Sequence, residues 1–257
     1  MLLMKVTRFL LLSCLLGSSL PSMAATEQDY QVALSHWAKV LETFVNAEGQ
    51  TDFIALAKQA DDLQAYVDFV ARVSPQSEPF LFPAENDVLV YHINTYNALA
   101  MHGVIAAGIP ADFDGFFKRL RFFKLRDIEI GGELTSLYDY ENDVIRPLGE
   151  PRVHFALNCM VRDCPRLPTV PFDAEMLDQQ LDQLTGEFFN KQKHLVVDSE
   201  NKRVYVSEIL DFYTEDFVAS AKPQDLLSYI QQYHDRPIPD HYHVKFIDYD
   251  WTINQQP

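Results

Sequence analysis

Two cysteines five residues apart, with a histidine five residues before the first, are the densest chemistry in this 257-residue chain. They lie in Arg152-Val153-His154-Phe155-Ala156-Leu157-Asn158-Cys159-Met160-Val161-Arg162-Asp163-Cys164-Pro165. A thiolate nucleophile needs a base within hydrogen-bond reach, and His154 is the nearest in sequence. The run Val153 to Cys159 carries a compact strand signal, and strand side chains alternate faces. His154, Ala156 and Asn158 then share one face, while Phe155, Leu157 and Cys159 take the other. Five steps at about 3.3 Å also put roughly 16 Å between His154 and Cys159. A direct Cys–His dyad needs the chain to fold back. A disulfide between Cys159 and Cys164 asks less of it and holds Arg162 in a short loop. Such a loop constrains the unfolded chain by about 2 kcal/mol in the entropy model. A thiol enzyme and a labile redox pair remain open for the same cysteines, because strained short-loop disulfides are the reducible kind.

Other polar groups gather on elements that read as buried. His154 and Asn158 at the end of a strand can orient a substrate or a water. Asn94 and Asn97 sit on an apolar helix, and Asn97 lies in the arc of Val90, Ile93 and Met101. A buried amide without partners costs about 1–3 kcal/mol, so Asn97 either pins a neighbouring loop or lines a site. Glu141 offers a carboxylate, either to a site or to a basic side chain such as Arg146. His241 and His243 have the spacing of a metal pair on one strand face, with His234 and Asp240 near in sequence. No third ligand is fixed by sequence, so no metal is assigned. Lys118, Arg119, Arg121, Lys124 and Arg126 form a basic run among four phenylalanines. It suits an anionic ligand or an acidic partner, or the solvated side of a strand.

Periodicity supplies the elements that must position these groups. Gln28 to Val45 and about Phe53 to Val73 read as helices, an N-terminal pair that packs on the remainder. Glu85 to Ala107 is apolar nearly all round, which marks a buried central helix. Phe122 to Ile130 reads as a strand before a Gly131-Gly132 turn. Thr135 or Ser136 can cap a short helix after it. A helix is expected over Asp173 to Phe189 and a hairpin over Leu195 to Val206, turning at Ser199 to Lys202. Ser207 then caps another helix, Gln224 to Tyr233 forms a last one, and Tyr242 to Ile253 is extended. Helices and short strands mix without a βαβ alternation. The expected fold is therefore α+β, a mostly helical single domain over residues 25–257 with a small sheet.

The first 24 residues read as a secretory signal peptide. Lys5 and Arg8 precede an apolar run from Phe9 to Leu20, and Pro21-Ser22-Met23-Ala24 offers a cleavage site. Leu11-Leu12-Ser13-Cys14 also looks like a lipobox, which makes a lipoprotein the alternative. No later segment is apolar enough to span a bilayer, so a soluble protein of the periplasm or a secreted one is expected. The net charge of −16 sets nucleic acid aside as a partner and repels anionic lipid headgroups as a whole.

The strings His92-Ile93-Asn94-Thr95-Tyr96-Asn97-Ala98, Ile130-Gly131-Gly132, His154 to Cys159, Cys164-Pro165 and Tyr249-Asp250-Trp251-Thr252-Ile253-Asn254 resemble the domain-of-unknown-function family numbered 547. They follow in order from about Phe80 to Asn254, and more loosely from residue 30. Met160 and Val161 stand where that family usually shows Gly and Ser. The resemblance implies one domain and points at Asn94, Asn97, Glu141, Arg146, His154, Asn158 and the cysteine pair. It implies no reaction and no cofactor. The layout is similar to papain-like and transglutaminase-like cores, in which the nucleophilic Cys heads the helix. No cysteine lies in this central helix, so that chemistry is not expected.

Three functions follow as expectations. A binding or interaction module for an envelope protein or small molecule comes first, because no complete triad, phosphate loop or metal box is present. A hydrolase- or transferase-type enzyme would use His154, Asn158 and Asn97, with Glu141 as orienter and Asn94, Arg146 and Arg162 binding. A thiol or redox protein would use Cys159 and Cys164.

Overall fold

A computed structural model describes residues 24–257. The signal peptide and the lipobox at Cys14 lie outside the described residues, apart from Ala24. Chain entry into the first helix, α1 (Glu27–Phe44), is fixed by a capping box. The Thr26 hydroxyl accepts from Asp29 N–H and the Asp29 carboxyl accepts from Thr26 N–H. The long second helix expected from the pattern is broken in two, α2 (Phe53–Leu56) and α3 (Asp61–Arg72). Periodicity continues across the break, but Ala57 to Ala60 form a turn in which Lys58 and Gln59 bond three residues back. Helix α1 lies against α3, where Trp37 stacks on Tyr66, and the Trp37 indole donates to Asn94 of the central helix at 3.3 Å.

That central helix, α4 (Glu85–Ala106), is the axis of the molecule. Every side chain from Leu89 to Met101 is buried, as an all-round apolar helix requires. The chain then enters α5 (Phe116–Arg119) from Gly115, whose φ of 88° lies in the left-handed region that favours glycine. A wide π-helical turn, Leu120–Lys124, follows directly. The strand expected from Phe122 is therefore shorter, confined to β1 (Asp127–Ile130). Phe122 stacks on Phe113 at 4.1 Å and Phe123 packs edge-on against the same ring, so aromatic packing holds the segment helical. Hairpin partner β2 (Glu133–Ser136) pairs antiparallel with β1. Ser136 caps α6 (Leu137–Asp139), and a second π-helical turn runs from Tyr140 to Ile145.

Beyond it comes the largest departure from the sequence pattern. Val153 to Cys159 is not a strand. Pro151–Phe155 is a 3₁₀ helix, with Pro151 at its start and the Leu157 N–H bonded back to Val153. Short apolar runs do not separate strand from buried helix by periodicity alone. The alternation of faces inferred for His154, Asn158 and Cys159 does not apply.

Helix α7 (Leu177–Phe189) packs beside this turn. A hairpin of β3 (Leu195–Asp198) and β4 (Arg203–Ser207) turns through residues 199–202, as expected, and leads into α8 (Ile209–Phe212) and α9 (Thr214–Phe217). Glu208, not Ser207, occupies the position before α8, although the Ser207 hydroxyl accepts from Ile209 N–H at 3.4 Å. The last helix, α10 (Leu226–Ile230), is shorter than expected, and β5 (His243–Ile247) adds parallel to β4. Residues 249–256 then cross the molecule to Thr51, which pairs with Gln255. The result is one α+β body, mostly helical, with a two-stranded and a three-stranded sheet.

Candidate functional site

The asparagines of the central helix are spent on architecture. Asn94 accepts from Phe172 N–H and donates to Phe172 C=O, both at 3.0 Å. Asn97 donates to Ala156 C=O at 3.0 Å and accepts from Asn158 N–H at 2.7 Å. Asn158 in turn donates to Pro165 C=O at 2.6 Å and accepts from Met160 N–H at 2.7 Å. Helix α4 therefore grips the segment after the 3₁₀ turn, and Asn158 grips both ends of the cysteine loop.

Cys159 and Cys164 are joined as a disulfide. Their loop is stitched to the segment that crosses from β5. Arg162 N–H donates to Thr252 C=O at 2.8 Å, and Asn254 N–H to Met160 C=O at 3.0 Å. Met160 holds a φ of 66°, unusual for a residue with a side chain, at the position where the resemblance leads one to expect glycine. Its side chain is buried, and Asn158 and Asn254 bond its backbone on either side.

The other candidates meet at a cavity of about 920 Å³. His154, from the 3₁₀ turn, and Glu141, from the second π-turn, both line it. His154 is 2% exposed, and its ring stacks on Tyr213 at 4.0 Å. Its Nε2 lies 2.7 Å from an Asp216 oxygen. Arg146 holds the same carboxylate with two bonds, from Nε at 2.6 Å and from Nη2 at 2.9 Å. Burial works to raise the Asp216 carboxyl, but the bonds from His154 and Arg146 outweigh it and hold it well below the usual carboxylate range. Arg146 thus serves Asp216 and Glu215 rather than Glu141.

Glu141 instead accepts from the Tyr96 hydroxyl at 2.9 Å. Burial, and after it the Glu141 charge, raises the Tyr96 and Tyr213 hydroxyls well above their ordinary value, so both stay protonated. Phe116, Phe123, Phe212, Tyr249 and Trp251 complete apolar walls, and the Cys159 sulfur lies 3.8 Å from the Tyr249 hydroxyl. An aromatic cavity of this size with a few convergent polar groups has the dimensions of a small-ligand site.

Residues 82–189 match the sequence profile of a family described as "Protein of unknown function, DUF547". These residues are a DUF547 domain. No curated protein and no solved structure matches the chain. The DUF547 segment covers part of the resemblance, and Tyr249 to Asn254 lie outside it. Both parts are needed for the cavity. The DUF547 segment contributes Tyr96, Glu141, Arg146 and His154, while Tyr213, Tyr249 and Trp251 come from beyond it.

Arg162 is not at this site. It lines a smaller cavity of about 410 Å³, with Arg166, Lys191 and Lys193 among its neighbours. Among the described residues no three His, Cys, Asp or Glu side chains gather as a metal cage. His234 turns its Nδ1 to Phe189 C=O at 3.0 Å. Asp216 and Tyr213 were not singled out from the sequence. They lie about sixty residues beyond His154, and no local pattern connects them.

Proposed function

We propose that the protein binds a small molecule whose apolar body lies against the aromatic walls and whose polar group meets Glu141 and His154. The observation that carries this reading is the 920 Å³ cavity in which both side chains are buried among Tyr96, Tyr213, Tyr249 and Trp251. On this reading the protein is a binding module, supported by the aromatic lining of that cavity. A thermal-shift screen against amphiphilic small molecules tests it, with Glu141→Gln as control. Ligands that raise the melting temperature of the native chain but not of the variant support the reading. No stabilising ligand, or equal shifts in both proteins, overturns it.

One observation favours a hydrolase- or transferase-type enzyme at the same cavity. Asp216 fixes Nε2 of His154 and Arg146 fixes Asp216, an orientation chain of the kind that holds a general base. His154→Gln would then abolish turnover of a bound ligand and leave its binding in place. The asparagines enter that reading as positioning residues, because their amides are committed to the loop. A thiol or redox role finds its support in the cavity-facing Cys159, which is disulfide-linked in this state. The same disulfide supports a periplasmic or secreted location. Among the described residues no helix is long and apolar enough to cross a membrane.

A further inference from the structure

The basic run of residues 118–126 is not absorbed by the cavity. Between Asp114 and Asp127 there is no acidic residue, and five of the 21 lysines and arginines of a chain with net charge −16 fall there. Folded as α5 and its π-turn, the segment has two faces. Phe122 and Phe123 turn inward, while Phe116, Phe117, Lys118, Arg121, Lys124 and Leu125 are exposed. Phe116 is 65% and Phe117 81% exposed, and their rings touch each other edge to face at 5.5 Å. Lys118 is paired with Asp112 and Lys124 with Asp139. Arg121 has no carboxylate partner among the described residues, nor does Arg119, which lies over the Trp251 ring at 4.7 Å.

Two adjoining exposed phenylalanines flanked by cations match the chemistry of a lipid headgroup boundary. The rings enter the acyl edge and the cations meet phosphates. We infer that this face docks the protein on an anionic lipid surface. The net charge of the whole chain opposes such a surface, so contact is confined to this stretch, whose five cations fall between Asp114 and Asp127 without a carboxylate among them. The same segment walls the cavity through Phe116, Arg119 and Phe123, so docking sets that wall against the lipid. An acidic polypeptide is the other occupant the charges admit. The pair of phenylalanines standing out from the core beside them decides for lipid.

The test is sedimentation of the protein, purified in its natural processed form, with vesicles of phosphatidylglycerol in phosphatidylethanolamine and with neutral phosphatidylcholine vesicles. Retention is expected on the anionic vesicles alone and is lost at high salt. Phe117→Ser weakens it about tenfold through the lost apolar burial, and Arg121→Glu about tenfold through charge. Both positions are exposed, so melting temperatures stay at the native value. No retention at low salt, equal retention on neutral vesicles, or retention unchanged in both variants overturns the inference. Capture on polyglutamate beads in place of vesicles overturns it in favour of an acidic polypeptide. Neither residue lines the cavity, so a failure here is separate from a failure of the ligand-binding reading.

Discussion

Asp216 approaches His154 from 62 residues further along the chain and stops 2.7 Å from Nε2. The contact joins the DUF547 segment to α9 and places a carboxylate of the later part of the chain behind a histidine of the earlier. Arg146 Nε bonds the same Asp216 oxygen and its Nη2 the other, so one carboxylate organises two side chains that are themselves packed against Tyr213.

Replacing Asp216 by Asn removes that anion and keeps the shape. A loss of about 1.5–3 kcal/mol is expected at neutral pH, the range for charge-assisted bonds. The folded carboxyl titrates below its unfolded value near 3.9, so its contribution is present above that pH and fades as pH falls toward the folded value. Urea midpoints of native and Asp216→Asn proteins should therefore differ in full at pH 7 and by clearly less at about pH 2, the gap narrowing only below about pH 4. A gap that is the same at both pH values contradicts the electrostatic account.

Burial pushes the His92 imidazole down to about 4, and its Nδ1 lies 2.6 Å from the Tyr140 hydroxyl. The unfolded ring takes up a proton near pH 6.5 and the folded ring does not. Stability is thus complete above about pH 6.5 and declines down to about pH 4, by a total of about 3 kcal/mol from this group. His194, lowered by burial and then by Lys193 and Lys191, adds loss in the same direction. Urea midpoints between pH 7 and 4 should fall in the native protein and fall less in His92→Gln.

Loss of the Cys159–Cys164 bond costs about 2 kcal/mol on the chain-entropy account. Cys159→Ser with Cys164→Ser should lower the urea midpoint accordingly, and reductant should bring the native protein to the same value. Alkylation before reduction should label neither cysteine. Ready labelling of Cys159 in the untreated protein would return the thiol reading.

Asn97→Ala strands two buried groups, Asn158 N–H and Ala156 C=O. At about 1–3 kcal/mol for each unsatisfied group, the melting temperature should drop by more than about 4 °C. Leu134→Ala, at an exposed position, serves as the comparison and should leave the melting temperature near the native value.

The elements with long, consistent patterns were legible. The burial of α4 follows from its apolar residues on every side, and the β3–β4 turn from a polar stretch between two apolar runs. Ser136 was readable as a cap because its hydroxyl is the local acceptor that a helix start needs. The 3₁₀ turn at Pro151–Phe155 was not, because seven apolar-rich residues satisfy a strand and a tight helix equally. Among the site residues, His154 and Glu141 stood out by type and share one cavity. Asp216 and Tyr213 sit in four-residue helices or at their edges, where nothing but tertiary contact gives them a role.

The pairing of Thr51 with the far segment has a consequence for the order of assembly. Phe53 N–H is satisfied by Gln255, 202 residues later, and Thr51 N–H by Asn254. At roughly 5–20 residues per second of synthesis, the turn after α1 waits about 10–40 s for its partner to be made. The cysteine loop waits for the same segment, since Arg162 and Met160 are stitched to it. The turn after α1 and the cysteine loop therefore reach their final hydrogen bonding together, once residues 249–256 have been made.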